Sequence, residues 1–211
     1  MITVFGFTYN SKDFLPLFFD TYKYADRIVI VDNNSTDDTQ KTVLERGAEL
    51  VVWDAEYNES SFAAVKNRVW KDYEDTWCLV VDVDELIPVI PEVRNTNEVY
   101  RFVGWDVVTK EQIDTVDSLV GASALRNTTY DKPALFHSSV TDINFSIGAT
   151  HASPDGAKVV DSRLSLFHAK MAGKERYLFT RKDYIDSGAI KEKDFVKRFV
   201  SKRAALQGVI L

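Results

Sequence analysis

The first 85 residues alternate short apolar runs with amphipathic stretches, and few folds accept that order. Ile2–Tyr9 reads as a strand and Asp13–Tyr24 as a helix. Arg27–Val31 is a second strand, almost wholly apolar, as a strand covered on both faces must be. Ser35 is placed to cap a second helix, with Asp37 and Asp38 giving a negative first turn and Arg46-Gly47 closing it. Glu49–Trp53 is a third strand. Ser60–Tyr73 is a third helix, with Phe62, Val65, Val69 and Tyr73 on one face. Trp77–Val81 is a fourth strand that runs into Asp82-Val83-Asp84-Glu85. A β-α-β-α-β-α-β order with crossovers of this length predicts parallel strands joined in the right-handed sense. The predicted class is α/β, a Rossmann-like, mostly parallel central sheet flanked by helices, with ligands at the carboxyl ends of the strands.

The second half breaks that rhythm. Val99–Val108, Ser118–Arg126, Ala134–Ser139 and Leu164–Phe167 read as mixed or antiparallel strands between Asn, Asp, Pro and Gly, and Lys174–Leu206 as two helices. A chain of 211 residues accommodates one domain: residues 1–85 as the nucleotide-binding half, 86–170 as the acceptor and metal half, and 171–211 as C-terminal helices. The apolar end at Leu211 suggests a piece of a longer chain.

A net charge of −6 argues against a nucleic-acid partner, and clustered carboxylates call for a cation. No apolar run is long enough to span a membrane, and Met1–Phe7 lacks the basic start of a signal peptide. The single cysteine, Cys78, lies in an apolar run and reads as a structural thiol in a reducing compartment, so the expected location is cytoplasmic.

Polar residues gather where the strands end: Thr8-Tyr9-Asn10, then Asp32 to Asp37, then Trp53-Asp54, then Asp82 to Glu85. In a doubly wound sheet these ends are neighbours at one rim. Asp82 and Asp84 are the sharpest feature, because hard carboxylate oxygens suit Mg²⁺ or Mn²⁺, which complete their shells with water and substrate phosphate. Aspartate also ends strands simply because it favours turns, so the pair gains weight only from the preceding alternation. His168 is a candidate third ligand, and Lys170 beside it can meet a diphosphate. Either Asp142 or His151 could serve as general base toward an acceptor hydroxyl. Glycine-rich dinucleotide and P-loop motifs and a nucleophile elbow are absent.

Asp32-Asn33-Asn34-Ser35-Thr36-Asp37 resembles the Asp-x-x-Ser-x-Asp signature of family-2-like GT-A glycosyltransferases. Lys66-Asn67 is similar to their Arg-Asn pair, Asp82-Val83-Asp84-Glu85 to their Asp-x-Asp-Glu, and His168 to a late histidine metal ligand. The resemblance implies that Thr8, Tyr9, Asp32 and Asn34 hold base and ribose, and that Asp82 touches ribose and the water shell of the metal. It implies Asp84 and His168 as ligands of Mn²⁺ or Mg²⁺. Asn10, Asp54, Lys66, Asn67 and Lys170 complete the expected donor contacts. Lysine stands at position 66 where relatives have arginine, and His151-Ala152 where they often have His-Glu.

The opening Met1–Asn10 also resembles the first domain of multidomain glycosyltransferases of chlorella viruses, which implies a capsid-glycan acceptor, a host-cytoplasmic setting and further domains beyond Leu211. The expected function is transfer of a hexose-type sugar from a UDP-sugar to a hydroxyl of a glycan or glycoprotein, with inversion. A nucleotidyltransferase and a non-catalytic nucleotide- or sugar-binding module are the alternatives.

Overall fold

The computed structural model describes residues 1–109, 112–147, 152–154 and 156–172. Four parallel strands form its first half: β1 (Ile2–Thr8), β2 (Arg27–Asp32), β3 (Glu49–Val52) and β4 (Trp77–Asp82). They lie in the order β3-β2-β1-β4, so the chain reverses direction of growth between β1 and β4. That reversal opens a crevice at the carboxyl ends, the place where such sheets bind ligands.

The helices are α1 (Leu15–Thr21), α2 (Thr39–Glu45) and α3 (Glu59–Lys66). All three are shorter than their amphipathic patterns predict. The second begins at Thr39 rather than near Ser35, because the Ser35 hydroxyl is engaged by Asp32 and Asn10. Its end follows the sequence: Gly47 takes φ of +71°, a left-handed value that favours glycine. The third helix starts with an Asn58–Ser61 capping box, stops at Asn67 and resumes as a 3₁₀ turn, Val69–Asp72.

Beyond β4 the chain adds β5 (Glu85–Leu86), β6 (Glu98–Thr109), α4 (Val116–Val120), β7 (Ala124–Arg126), β8 (Lys132–His137), β9 (Ile143–Phe145), β10 (Ala152–Pro154) and β11 (Lys158–Ala172). The main sheet continues from β4 through β8, β6 and β11 to β5, with β7 against β6. The predicted strand over Ser118–Arg126 opens as helix and is strand only from Ala124, since a Thr115–Ser118 capping box starts a helical turn that buries Leu119. The hairpin of β9 and β10 has no counterpart among the predicted elements. The helices expected over Lys174–Leu206 lie outside the described residues, as do Gly148, Ala149, Thr150, His151 and Asp155.

Each strand of the parallel half sends alternate side chains to opposite layers. Val4, Ile30, Leu79 and Val81 pack with Leu15, Phe18, Tyr22 and Val43 of α1 and α2. Phe5, Phe7, Val29, Val31 and Val80 pack with Val69 and Trp70. Cys78 belongs to the second layer, where burial pushes its thiol up to about 12. Among the described residues, no helix is long and apolar enough to cross a membrane.

Candidate functional site

The loops after β1 and β2 are bolted to each other. Asp32 is fully buried, and its carboxylate accepts from Ser35 N at 2.9 Å, from the Ser35 hydroxyl and from Gln40 Nε2 at 2.7 Å. Asn10 Oδ1 accepts from Thr36 N at 2.7 Å, and Ser35 Oγ accepts from Asn10 N at 2.7 Å. Asp37 accepts from Thr39 N and Lys12 N. Asn34, in a left-handed conformation with φ of +52°, donates to Asp54. Two groups here are not tied in this way. Among the described residues Thr8 Oγ1 is buried without a partner, and the Tyr9 ring is exposed.

The loop after β4 is organised from below. Glu85 is buried, its Oε2 paired with buried Lys132 and accepting from Asp82 N at 2.8 Å. Lys66, the last residue of α3, is also fully buried; its Nζ lies 2.6 Å from Asp82 Oδ1 and over the rings of Phe7 and Phe62. That contact is close enough for an ion pair but poorly directed for a hydrogen bond, so both atoms keep unmet bonding capacity. Burial pulls the Lys66 ammonium below the usual lysine range; Asp82 opposes this and the charge of Lys132 adds to it.

One turn further, Asp84 faces His168. Backbone pairing sets this up, because β11 lies between β5 and β6 with His168 opposite both Glu85 and Asp106. Ala169 N donates to Asp84 O at 2.7 Å and ties the loop to β11. His168 Nε2 is 3.5 Å from Asp84 Oδ2, and Nδ1 is 2.9 Å from Asp106 Oδ1. Burial alone would depress the imidazole, but the Asp84 charge and the bonds to Asp106 and Asp84 raise it to about 9. Burial raises the Asp84 carboxyl, yet His168 and Lys170 outweigh it and hold it well below the usual range. Tyr130 stacks on the His168 ring at 4.0 Å; burial and then the charges of Asp84 and Asp106 push its phenol well above its usual range.

The structure thus brings Lys66, Asp82, Asp84, His168 and the charge of Lys170 together. It places Asn67 differently from a donor contact: the Asn67 amide donates to Phe145 O at 3.0 Å and accepts from Phe145 N at 2.7 Å, which docks β9 on α3. β8 is antiparallel to β4 with His137 opposite Trp77, so the chain leaving β8 starts from the amino-terminal edge of β4. Asp142 is exposed, and its carboxylate accepts from the Thr141 hydroxyl at 3.4 Å. The other base candidate, His151, lies outside the described residues.

Asp106, Tyr130 and Lys132 were not singled out by sequence. Asp106 sits within an apolar run, 62 positions from His168, and only the parallel pairing of β6 with β11 joins them. Lys132 precedes a proline, which reads as loop.

A divalent cation fits part of this arrangement. Two ligands of one such ion, each at about 2.1 Å, stand roughly 3.0–3.5 Å apart, and Asp84 Oδ2 and His168 Nε2 are 3.5 Å apart. Among the described residues no group of three or more His, Cys, Asp or Glu is placed to hold a metal. Two protein donors suffice for Mg²⁺ or Mn²⁺ only where water and substrate phosphates supply the rest.

No protein-family model matches the chain, and no curated protein matches it. Among solved structures, it is similar to S. aureus TarS 1-349 in complex with UDP, at 17% identity and a TM-score of 0.45, over 79% of this chain and 60% of that one. S. aureus TarS itself gives 17% identity and a TM-score of 0.44 over 87% and 39% of the two chains. TarS 1-349 in complex with UDP-GlcNAc gives 18% and 0.43 over 77% and 58%. The chain therefore spans 60% or less of the length of these structures.

Proposed function

We propose that this chain is a metal-dependent glycosyltransferase that moves a sugar from a nucleotide diphosphate sugar, a UDP-sugar, to a hydroxyl of a glycan, with inversion. The observation that supports this reading best is the facing pair of Asp84 and His168 beside the incompletely bonded Lys66–Asp82 pair, at the crevice of a doubly wound sheet. Buried polar atoms with unmet bonding capacity are costly, and a ligand that meets them repays the cost.

In this reading Asp84 and His168 hold Mn²⁺ or Mg²⁺, which when bound offsets the negative charge growing on the departing diphosphate. Lys170 stands where its positive charge reaches the same carboxylate, and so the same diphosphate. Lys66 fixes Asp82 for the ribose. Thr8 Oγ1 and the exposed Tyr9 ring offer a hydrogen bond and a stacking face to the nucleoside.

Calorimetric titration of UDP, and of GDP as control, with and without Mn²⁺ tests the proposal. Mn²⁺-dependent binding of UDP, followed by Mn²⁺-dependent release of UDP from one member of a UDP-sugar panel, is the expected result. Metal-independent binding, or none, would overturn it. Metal-dependent binding without sugar release or transfer would leave a nucleotide-binding module instead.

A further inference from the structure

We propose that Asp106, steadied by Asn127 and by the packing of Tyr130, is the positioning residue that aims His168 Nε2 at a divalent cation shared with Asp84. The inference rests on the reading of Asp84 and His168 as metal ligands, and it assigns work to residues outside that pair.

An imidazole is a useful ligand only when its ring is held, because two free torsions otherwise sweep the ring nitrogens across the site. Three contacts hold this one. Backbone register sets His168 opposite Asp106, so the two side chains leave the same face of the sheet. Asp106 is 3% exposed, and its Oδ1 lies 2.9 Å from His168 Nδ1. A ring that donates from Nδ1 keeps the Nε2 lone pair for a cation. The other carboxylate oxygen, Oδ2, accepts from Asn127 Nδ2 at 2.9 Å, so Asp106 cannot swing toward the cation itself.

The third contact is the ring of Tyr130, stacked on His168 at 4.0 Å with an interplanar angle of 22°. Tyr130 and Asn127 bracket a short turn pressed onto β6 at Gly104. A Cβ at Gly104 would stand 2.5 Å from Tyr130 Cβ and 2.7 Å from Asn127 O. Gly104 also accepts from Asn127 N at 3.0 Å, and its N–H donates to Asp131 at 2.7 Å. The absence of a side chain at Gly104 is what lets this turn reach both the carboxylate and the ring.

The test is Mn²⁺ titration of the full chain in saturating UDP, followed by electron paramagnetic resonance. Asp106→Asn keeps the size of the side chain and removes its charge. It should weaken Mn²⁺ binding about 10- to 100-fold in protein that remains folded at the titration temperature. The ratio of Mn²⁺ to Mg²⁺ affinity should fall with it, because a poorer imidazole donor handicaps the ion that accepts nitrogen more readily, and a purely structural role would leave that ratio unchanged. Unchanged Mn²⁺ affinity in Asp106→Asn, with binding abolished in Asp84→Ala, would overturn the role of Asp106 and leave the two ligands standing. Failure of the wild-type protein to bind Mn²⁺ would overturn both. Should Asp106→Asn fail to fold, Asn127→Ala removes the outer support of Asp106 together with the cap that Asn127 gives to Thr129 N. A several-fold loss of Mn²⁺ affinity there supports the proposal, and no change overturns it.

Discussion

The rim of the sheet has two parts whose polar groups are in opposite states. After β2, the signature residues are consumed by their own loop: Asp32 accepts from Ser35 and Gln40, and Asp37 accepts from Lys12 and Thr39. After β4, and across on β11, the groups meet as charged pairs across the crevice, and at one of these pairs bonding capacity is left over. Lys66 and Asp82 make an ion pair with capacity to spare, and Asp84 and His168 stand 3.5 Å apart. The same residue type therefore does two jobs, folding a loop in one place and leaving an unmet demand in the other. Only the second kind of aspartate points to a bound ligand, and the short motif alone does not separate them.

That contrast breaks most decisively at Asp84. Asp84→Ala should lower Mn²⁺-dependent UDP release from a UDP-sugar by about 1000-fold. The corresponding change in the first part, Ser35→Ala, should leave the rate per folded molecule near wild type. Near-wild-type turnover in Asp84→Ala would remove the facing pair from the chemistry.

A smaller effect separates the parts by pH. In the metal-free protein the His168 imidazole is raised from 6.5 to about 9 by the carboxylates around it, against the opposing effect of burial. The folded state binds that proton more tightly than the unfolded chain. The stabilisation is thus fully present below pH 6.5 and is lost as pH rises through about 9. Urea unfolding without metal should show that loss between pH 6 and pH 10 in the wild type and not in His168→Gln. Parallel pH dependences would mean that the charge on His168 does not stabilise the fold.

The parallel half was legible because its strands are short, largely apolar runs and its helices amphipathic, both local signals. The order of Lys66, Asp82, Asp84 and His168 was legible through short motifs that resemble a known family. Asp106 and Tyr130 were not, since a buried aspartate in an apolar strand and a tyrosine in a turn become meaningful only through the β6–β11 register and the close approach at Gly104. Ser35 misled for a physical reason. Its spacing suits a helix cap, but the Asp32 carboxylate three residues earlier competes for it and wins.

Lys66→Met sharpens the comparison within the second part. Methionine keeps the apolar packing against Phe7 and Phe62 and removes the buried charge. Its partner Asp82 is 33% exposed and can be rehydrated, so the loss should be about 1–2 kcal/mol, below the 3–5 kcal/mol of a fully buried pair. Affinity for UDP should fall by roughly tenfold, about 1.4 kcal/mol. A variant that loses stability but keeps its UDP affinity would place Lys66 with the loop-building residues of the first part.

The smallest expected effect belongs to Ser35. Its hydroxyl donates to Asp32 and accepts from Asn10 N at 2.7 Å, linking the loops after β1 and β2. Alanine leaves one buried carboxylate oxygen and one backbone N–H short of a partner. Gln40 and the Ser35 amide still serve the carboxylate, and Thr36 N still holds Asn10. The expected cost is about 1 kcal/mol in urea unfolding, with UDP affinity reduced no more than a few-fold. A loss of UDP binding as large as that in Lys66→Met would show that the bolted loops contact the nucleotide as directly as the open pair does, and the division of the rim into two parts would fail.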